Sequence, residues 1–217
     1  MIKTIIFDFD DTLLISEKIK HDAYLTIFSD LPNFESIIRA ADMENFGKHR
    51  RVVIEATLQA LIKAGLVAVS DLEKEINKRT EKFSQLVETE ILKAAEVEGA
   101  SLVLPQLAQK YRLYLNSGTP LDKLSSIITK KRWQAYFQGI YGRPGTKEDH
   151  IQKIIAKEGC LPQEVVVVGD TQADWQAAVA CGTHFIGIDN AYSQWPPNPN
   201  FPILENLISL LAVIAQF

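Results

Sequence analysis

The sequence has few cysteines and no long hydrophobic run. Its two cysteines, Cys160 and Cys181, are too few and too irregularly placed for a disulfide framework, which predicts a reduced, cytoplasmic protein. No apolar run approaches the roughly 20 residues of a membrane-spanning helix, and the apolar stretch at the N-terminus is too short for a signal peptide. Internal repeats and low-complexity segments are also absent from the sequence. We therefore expect a soluble protein that has no membrane partner.

The sequence also lacks an excess of positive charge. It has 23 Lys and Arg residues against 27 Asp and Glu residues, a formal net charge of −4 at pH 7. Because nucleic acids and anionic membranes are themselves acidic, this net charge disfavours both as general partners. The hydrophobic content of 47% is enough for a substantial core in one large domain or two modest ones.

Three carboxylates directly follow the first apolar segment. The run Ile2–Phe7 is typical of a strand that is buried on both faces, and Asp8, Asp10 and Asp11 come within the next four residues. Core packing has no need for such a cluster of negative charge. We therefore expect a cation at this strand end.

Helical patterns fill residues 16–96. Apolar residues recur at helical spacing from Ser16 until Pro32 and Asn33 end the first helix, and the same spacing returns later in the segment. Ser70–Glu73 has the form of a capping box at the start of a long helix. The pattern predicts an all-helical unit inserted after the first strand.

From residue 97 onwards, strands and helices alternate. The predicted strands are Ile2–Phe7, Tyr111–Leu115, Phe137–Tyr141, Val165–Val168 and His184–Ile188, and a closing helix is predicted over Ile203–Ile214. This alternation predicts an α/β fold with a doubly wound parallel sheet and right-handed crossovers. Residues 1–15 and 97–217 would form this core. Functional groups of such folds gather at the carboxyl ends of the strands.

Carboxylates also follow the fourth predicted strand. Gly169 and Asp170 end its valine run, and Asp174 lies at the start of the next helix. Oxygen ligands suit Mg²⁺, which typically takes one or two carboxylates together with water and a substrate phosphate. These two acidic residues join Asp8 and Asp10 as candidate metal ligands.

Four segments, in order along the chain, resemble the motifs of the haloacid dehalogenase-like hydrolases. Asp8–Thr12 resembles the first motif, two aspartates separated by one residue and followed by a threonine two positions later, and Leu115–Thr119 is similar to the second, in which Ser or Thr ends an apolar strand. Lys147 opens a helix where the third-motif lysine is expected, and Gly169–Asp174 is similar to the fourth motif. The resemblance implies a Rossmann-like core with a helical cap of the C1 type, here formed by residues 16–96.

The resemblance implies a Mg²⁺-dependent phosphatase that acts on a small phosphate monoester. Asp8 would be the nucleophile that becomes an aspartyl phosphate, and Asp10 would be the general acid and then the general base. Asp8 and Asp170 would bind Mg²⁺ directly, with the main-chain carbonyl of Asp10 as a further ligand. Asp174 would be a weaker ligand or would orient the others.

The remaining motifs would bind the phosphate group of the substrate. Ser117 and the backbone N–H groups around Gly118 would hold phosphate oxygens at a helix N-terminus. Lys147 would neutralise the nucleophile and the transferring phosphoryl group. Arg143 is a rival for this role, because the spacing of the third motif admits two registers. Asp11 stands where this motif often has Gly, which we expect to change only the turn of the loop.

The residues leave alternative functions open. A sugar phosphomutase has the same four motifs, and His21 of the helical unit is a candidate group for it. A phosphonate hydrolase would use a cap lysine as a Schiff base, and Lys48 is a candidate, although Asp10 points to an oxygen leaving group. The basic residues Lys48, His49 and Arg50 are either a solvated helix start or a substrate contact.

A binding module without activity has no physical need for the clustered charge. The sequence identifies neither the natural phosphorylated metabolite nor the oligomeric state, monomer or homodimer.

Overall fold

The computed structural model of the chain describes residues 1–31, 35–45 and 48–217. The chain divides into two compact units, one formed by Met1–Ile15 with Ala94–Phe217 and the other by Ser16–Lys93. We call them the core unit and the helical unit. The predicted helix end at Pro32 and Asn33 lies outside the described residues.

A parallel sheet lies at the centre of the core unit. Its strands are β1 (Thr4–Phe7), β2 (Arg112–Pro120), β3 (Phe137–Arg143), β4 (Val165–Gly169), β5 (His184–Ile188) and β6 (Ile203–Leu204). The strand order is β3-β2-β1-β4-β5-β6, and every neighbouring pair is parallel. The predicted doubly wound α/β fold is therefore confirmed.

The helices are assigned to the two units by their positions in the chain. The helical unit has α1 (Glu17–Ile27), α2 (Glu35–Glu44), α3 (Arg50–Lys63) and α4 (Leu72–Ile91). The core unit has α5 (Ala100–Ala108), α6 (Leu121–Lys130), α7 (Lys147–Glu158), α8 (Gln172–Ala180) and α9 (Leu210–Ile214). Within the described residues, no helix is both long and apolar enough to cross a membrane.

The register of the central strands brings two strand ends together. Every residue of β1 and of β4 is buried. The continuous apolar runs in the sequence predicted this burial, because such runs are typical of strands covered on both faces. Thr4 pairs with Val165 and Phe7 pairs with Val168, so both strands end at the same level of the sheet. The N–H of Asp8 donates to the Val168 carbonyl over 2.8 Å. The residues after β1 and β4 are therefore neighbours.

Two predicted boundaries in the core unit were wrong. Ile203 and Leu204 are not part of a closing helix but form β6, which pairs with Gly187 and Ile188 of β5, and the helix is limited to α9. The strand predicted to end at Leu115 instead continues as β2 to Pro120, with an irregular register against β3. In both cases, pairing with a neighbouring strand decides the backbone conformation.

The starts of two helices depend on their N-cap residues, and one of these differs from the prediction. Asp71, and not Ser70, caps α4, and its carboxylate accepts a hydrogen bond from the N–H of Lys74 over 3.0 Å. Pro120 is the N-cap of α6 and makes no side-chain cap bond. Thr119, the neighbouring residue with a side chain of the kind that caps helices, directs its hydroxyl to Asp10.

The helical unit has its own hydrophobic core. Buried side chains from α1, α2, α3 and α4 form it, and the rings of Tyr24 and Phe83 lie 4.4 Å apart. The guanidinium group of Arg79 donates to both carboxylate oxygens of Asp30, over 2.9 and 2.8 Å, and lies over the ring of Phe28. Such paired and stacked geometry satisfies a buried cation.

Candidate active site

Three buried aspartates converge at the carboxyl ends of β1 and β4. Asp8, Asp170 and Asp174 are 4%, 2% and 2% exposed, and one carboxylate oxygen from each lies within 4.8 Å of the others. Asp8 follows β1, Asp170 follows β4 and Asp174 lies in the first turn of α8. The register of the two strands brings these side chains together, as the rule for parallel sheets predicts.

Lys147 supplies positive charge to this cluster. Its Nζ donates to Asp8 Oδ1 over 2.7 Å and to Asp174 Oδ1 over 2.5 Å. Lys147 is the first residue of α7, and a capping box between Thr146 and Asp149 fixes the start of that helix. Burial lowers the pKa of Lys147, but attraction by Asp174 and Asp8 outweighs burial and raises the pKa above its ordinary value.

The aspartate cluster carries more negative charge than Lys147 neutralises. Burial raises the pKa of Asp8 to about 7; Lys147 opposes this rise, whereas Asp174 and Asp10 add to it. Burial, and then repulsion by Asp8 and Asp174, raise the pKa of Asp170 well above its ordinary value. Three carboxylates face one ammonium group here, and a divalent cation would balance the remaining charge. The donor set therefore fits a hard metal ion such as Mg²⁺.

The three carboxylates are held in place by different neighbours. Asp174 Oδ2 accepts from the N–H of Thr171 over 3.3 Å and from its hydroxyl over 2.5 Å, which caps α8. A Cβ atom on Gly169 would lie 2.5 Å from Asp174 Cγ, so only glycine permits this position of the carboxylate. The two oxygens of Asp170 accept from Thr12 Oγ1 over 3.3 Å and from Asn190 Nδ2 over 3.0 Å.

Asn190 and Ser193 were missed by the sequence analysis. Asn190 donates to the Asp170 carboxylate, and the Ser193 hydroxyl donates to the Asp170 main-chain carbonyl over 3.2 Å. Both residues lie between the predicted strand His184–Ile188 and the predicted closing helix, in a segment to which we assigned no element. Asn190 is two residues beyond the end of β5, so the rule that functional groups follow strand ends would have found it.

Asp10 lies beside the end of β2. Its Oδ2 accepts hydrogen bonds from Thr119 Oγ1 over 2.9 Å and from Ser117 Oγ over 3.5 Å. Ser117 Oγ in turn accepts from the N–H of Thr119 over 3.0 Å. Asp10 is 8% exposed, and its neighbour Asp11 has a φ of 49°, in the left-handed region. Short polar residues tolerate that region, as glycine does, so this loop turns without a glycine.

The two rival cations of the third motif occupy different places. Lys147 contacts Asp8, whereas Arg143 lies at the end of β3 beside Gly118. Two guanidinium nitrogens of Arg143 lie 3.9 Å from the position that a Cβ atom on Gly118 would take. Lys147 is therefore the cation at the aspartate cluster, and Arg143 is a separate cation beside β2.

Each candidate residue of the helical unit has a partner within that unit. His21 Nδ1 pairs with the carboxylate of Asp42, and the attraction of that carboxylate raises the pKa of His21. Lys48 Nζ donates to Asn45 Oδ1 over 3.0 Å. His49 is the N-cap of α3, and the guanidinium group of Arg50 donates to the hydroxyl of Ser84 over 2.9 Å. The basic residues at the start of α3 thus each have a partner in their own unit.

The chain is similar to one known family and to several solved structures. A sequence model of a family described as haloacid dehalogenase-like hydrolase matches residues 5–188. A predicted phosphoglycolate phosphatase from Haemophilus somnus has a similar structure, with a TM-score of 0.80, 20% identity and coverage of 98% of each chain. A protein from Thermotoga maritima assigned as a beta-phosphoglucomutase has a TM-score of 0.75, 19% identity and coverage of 99% of each chain.

A HAD-hydrolase from Bacillus subtilis, whose structure is described as bound to magnesium, is also similar. Its TM-score is 0.74 at 17% identity, and the match covers 99% of each chain. At these identities the structural likenesses show a shared fold. Among curated proteins, no sequence matches the chain.

Proposed function

The chain belongs to the haloacid dehalogenase-like hydrolase family, and we propose that it is a Mg²⁺-dependent phosphatase for a small phosphate monoester. The observation that carries the proposal is the buried cluster of Asp8, Asp170, Asp174 and Lys147. A cluster with excess negative charge is costly in a protein interior unless it binds a cation. A phosphatase needs such a cation to bring a carboxylate and a phosphate group together.

We assign the nucleophile to Asp8. Its carboxylate belongs to the cluster, and Lys147 binds Oδ1, which leaves Oδ2 for attack on phosphorus. Attack of a carboxylate oxygen on phosphorus forms an aspartyl phosphate and releases the alkoxide of the substrate, and water then hydrolyses this intermediate. Bound Mg²⁺, held by Asp8 and Asp170, would neutralise the charge of the nucleophile and of the phosphate.

We assign proton transfer to Asp10. A leaving alkoxide needs a proton, and Asp10 follows the nucleophile by two residues. The hydroxyl groups of Thr119 and Ser117 fix the orientation of its carboxyl group. In the second half-reaction, the same carboxylate would remove a proton from the attacking water.

The phosphate oxygens are assigned to the end of β2 and to Lys147. Ser117 is 2% exposed, and Gly118 follows it near the end of β2, where its backbone N–H could bind a phosphate oxygen. Backbone N–H and hydroxyl groups stabilise the oxygens of a transferring phosphoryl group, and the ammonium of Lys147 adds positive charge. We propose that the helical unit selects the substrate, a small phosphorylated metabolite.

The test is the Mg²⁺-dependent release of phosphate from p-nitrophenyl phosphate and from a panel of phosphorylated metabolites. The wild-type protein should release phosphate with Mg²⁺ and lose this activity with EDTA. Asp8→Asn should abolish turnover because an amide cannot act as the nucleophile, whereas Asp122→Asn, at an exposed position on α6, should retain it. Turnover by Asp8→Asn at the wild-type rate would refute the assignment of the nucleophile.

The same panel separates a phosphatase from a sugar phosphomutase. A mutase depends on the same cluster but returns an isomerised sugar phosphate instead of free phosphate. Isomerised product without net phosphate release would replace our proposal by the mutase alternative.

A further inference from the structure

Asn116 and His150 form a buried polar pair that the proposed mechanism does not use. They are 3% and 4% exposed, and neither is a member of the aspartate cluster. Buried polar groups cost free energy unless they are hydrogen-bonded. The hydrogen bonds of these two side chains therefore explain how polar residues are tolerated at these buried positions.

The contacts of the pair lead to the backbone of Lys147. Asn116 Nδ2 donates to the Lys147 main-chain carbonyl over 2.9 Å, and Asn116 Oδ1 lies 2.9 Å from His150 Nδ1. A carbonyl can only accept, so the amide nitrogen must face Lys147 and the amide oxygen must face the ring. His150 Nδ1 therefore donates to Asn116 Oδ1.

The pair joins the two segments that carry the proposed phosphate-binding groups. Asn116 immediately precedes Ser117 on β2, and Lys147 opens α7. Gly145 lies in the connection between β3 and α7 and has a φ of 121°. Because glycine has no side chain, this residue makes no side-chain contact that could help to fix the position of Lys147. The ring of His150 occupies the space beside this glycine, since a Cβ atom there would lie 2.3 Å from His150 Nε2.

We infer that Asn116 and His150 are positioning residues that hold the backbone of Lys147 so that its ammonium group reaches both Asp8 and Asp174. The inference rests on the proposed function for the role of Lys147 in phosphoryl transfer. Its geometric part stands on the contacts of the described residues alone. A small displacement of a charged group in an active site can lower the rate roughly 100-fold. A hydrogen bond that does not touch the reacting atoms can therefore affect catalysis.

Asn116→Asp is the variant that tests the inference most directly. Aspartate has nearly the same shape and still accepts a hydrogen bond from His150, but it presents an oxygen to the carbonyl of Lys147. The bond from Asn116 Nδ2 is then replaced by repulsion between two acceptors. Because the new carboxylate also introduces a buried charge, the uncharged His150 variants are needed to attribute an effect to the lost hydrogen bond.

The substitutions at His150 form a matched pair. His150→Asn retains a donor close to the position of Nδ1, whereas His150→Gln moves its donor to the position of Nε2 and leaves Asn116 Oδ1 without one. Both variants remove the imidazole ring and its titration. The difference between them therefore reports the hydrogen bond to Asn116.

The experiment measures the ammonium signal of Lys147 by NMR in protein labelled with ¹⁵N at lysine, together with kcat and KM for p-nitrophenyl phosphate. Lys147→Arg identifies the signal by its loss. In Asn116→Asp and His150→Gln, we expect the signal to broaden or shift to that of a solvated lysine and kcat to fall about tenfold or more with KM nearly unchanged. His150→Asn should retain the wild-type signal.

An unchanged Lys147 signal in both Asn116→Asp and His150→Gln would overturn the inference. If Asn116→Asp fails to fold, the His150 pair decides, and equal signals in His150→Gln and His150→Asn would likewise overturn it. A wild-type protein without any phosphatase activity would refute the proposed function instead, since the NMR measurement is independent of turnover.

Discussion

A protonated imidazole is costly at the position of His150. Burial lowers the pKa of His150 below its ordinary value of 6.5, and Lys153 lowers it further, whereas Pro144 and Asp149 act in the opposite direction. The folded state therefore favours the neutral ring. Below the ordinary pKa, the unfolded chain binds a proton at this residue that the folded chain does not bind.

The sign of this pH dependence is testable. As the pH falls through about 6.5, the free energy of unfolding of the wild-type protein should decrease relative to that of His150→Asn, which has no imidazole. Urea unfolding of both proteins at about pH 8 and about pH 5 measures the difference, and other titrating groups cancel in the comparison. An equal change in both proteins over this range would contradict the account of His150.

Lys147 and Arg143 illustrate what the residue pattern alone leaves undecided. Both cations lie in the segment where the third motif was expected, and their spacing admits either one as the partner of Asp8. The capped start of α7 directs Lys147 to Asp8, whereas Arg143 ends β3 beside Gly118. The choice depends on where one strand ends and the next helix begins, which is the least certain part of any sequence analysis.

Because α7 and β3 place Lys147 and Arg143 at separate positions, we expect substitutions of these two residues to have unequal effects on catalysis. Lys147→Ala removes the charge that touches Asp8 and Asp174, so kcat should fall at least about 100-fold. Arg143→Ala leaves this contact intact, and we expect a smaller loss that is expressed mainly in KM. Steady-state kinetics with p-nitrophenyl phosphate measures both parameters. A larger loss of kcat in Arg143→Ala than in Lys147→Ala would reverse the assignment.

Elements with a single strong signal could be predicted from the sequence. The valine run of β4 is typical of a strand that is covered on both faces, and the structure has such a strand there. The four ordered motifs correctly indicated the family, which the match over residues 5–188 confirms. Ile203–Leu204 has no such signal, because an apolar pair fits a helix face and a strand equally well. Its pairing with β5 comes from a distant segment of the chain.

The candidate site could be predicted as far as strand ends define it. Asp8, Asp170 and Lys147 each follow or begin a regular element, and the parallel topology brings them together. Thr119 lies where β2 loses its regular register against β3, and Ser193 lies in a loop. Local sequence does not encode which distant carboxylate or carbonyl such a hydroxyl will contact. Contacts of this kind require the three-dimensional structure.

The whole chain combines two units that each have a hydrophobic core. Two connections join the helical unit to the rest of the chain, and they pair with each other within the core unit. The N–H of Ile15 donates to the Ala95 carbonyl over 2.9 Å, and the N–H of Val97 donates to the Leu13 carbonyl over 3.0 Å. The insertion therefore begins and ends at adjacent points and leaves the sheet and its aspartate cluster continuous.

The central claim is that Asp8 and Asp170 bind one divalent ion, and thermal unfolding with and without Mg²⁺ tests it most directly. A ligand that binds only the folded state at about 100 times its Kd adds roughly 2.7 kcal/mol, which raises the Tm of a protein of this size by several degrees. We predict this increase for the wild-type protein and for the control Asp122→Asn, and little or none for Asp8→Asn and Asp170→Asn. Equal increases in all four proteins, or none in the wild type, would contradict the claim.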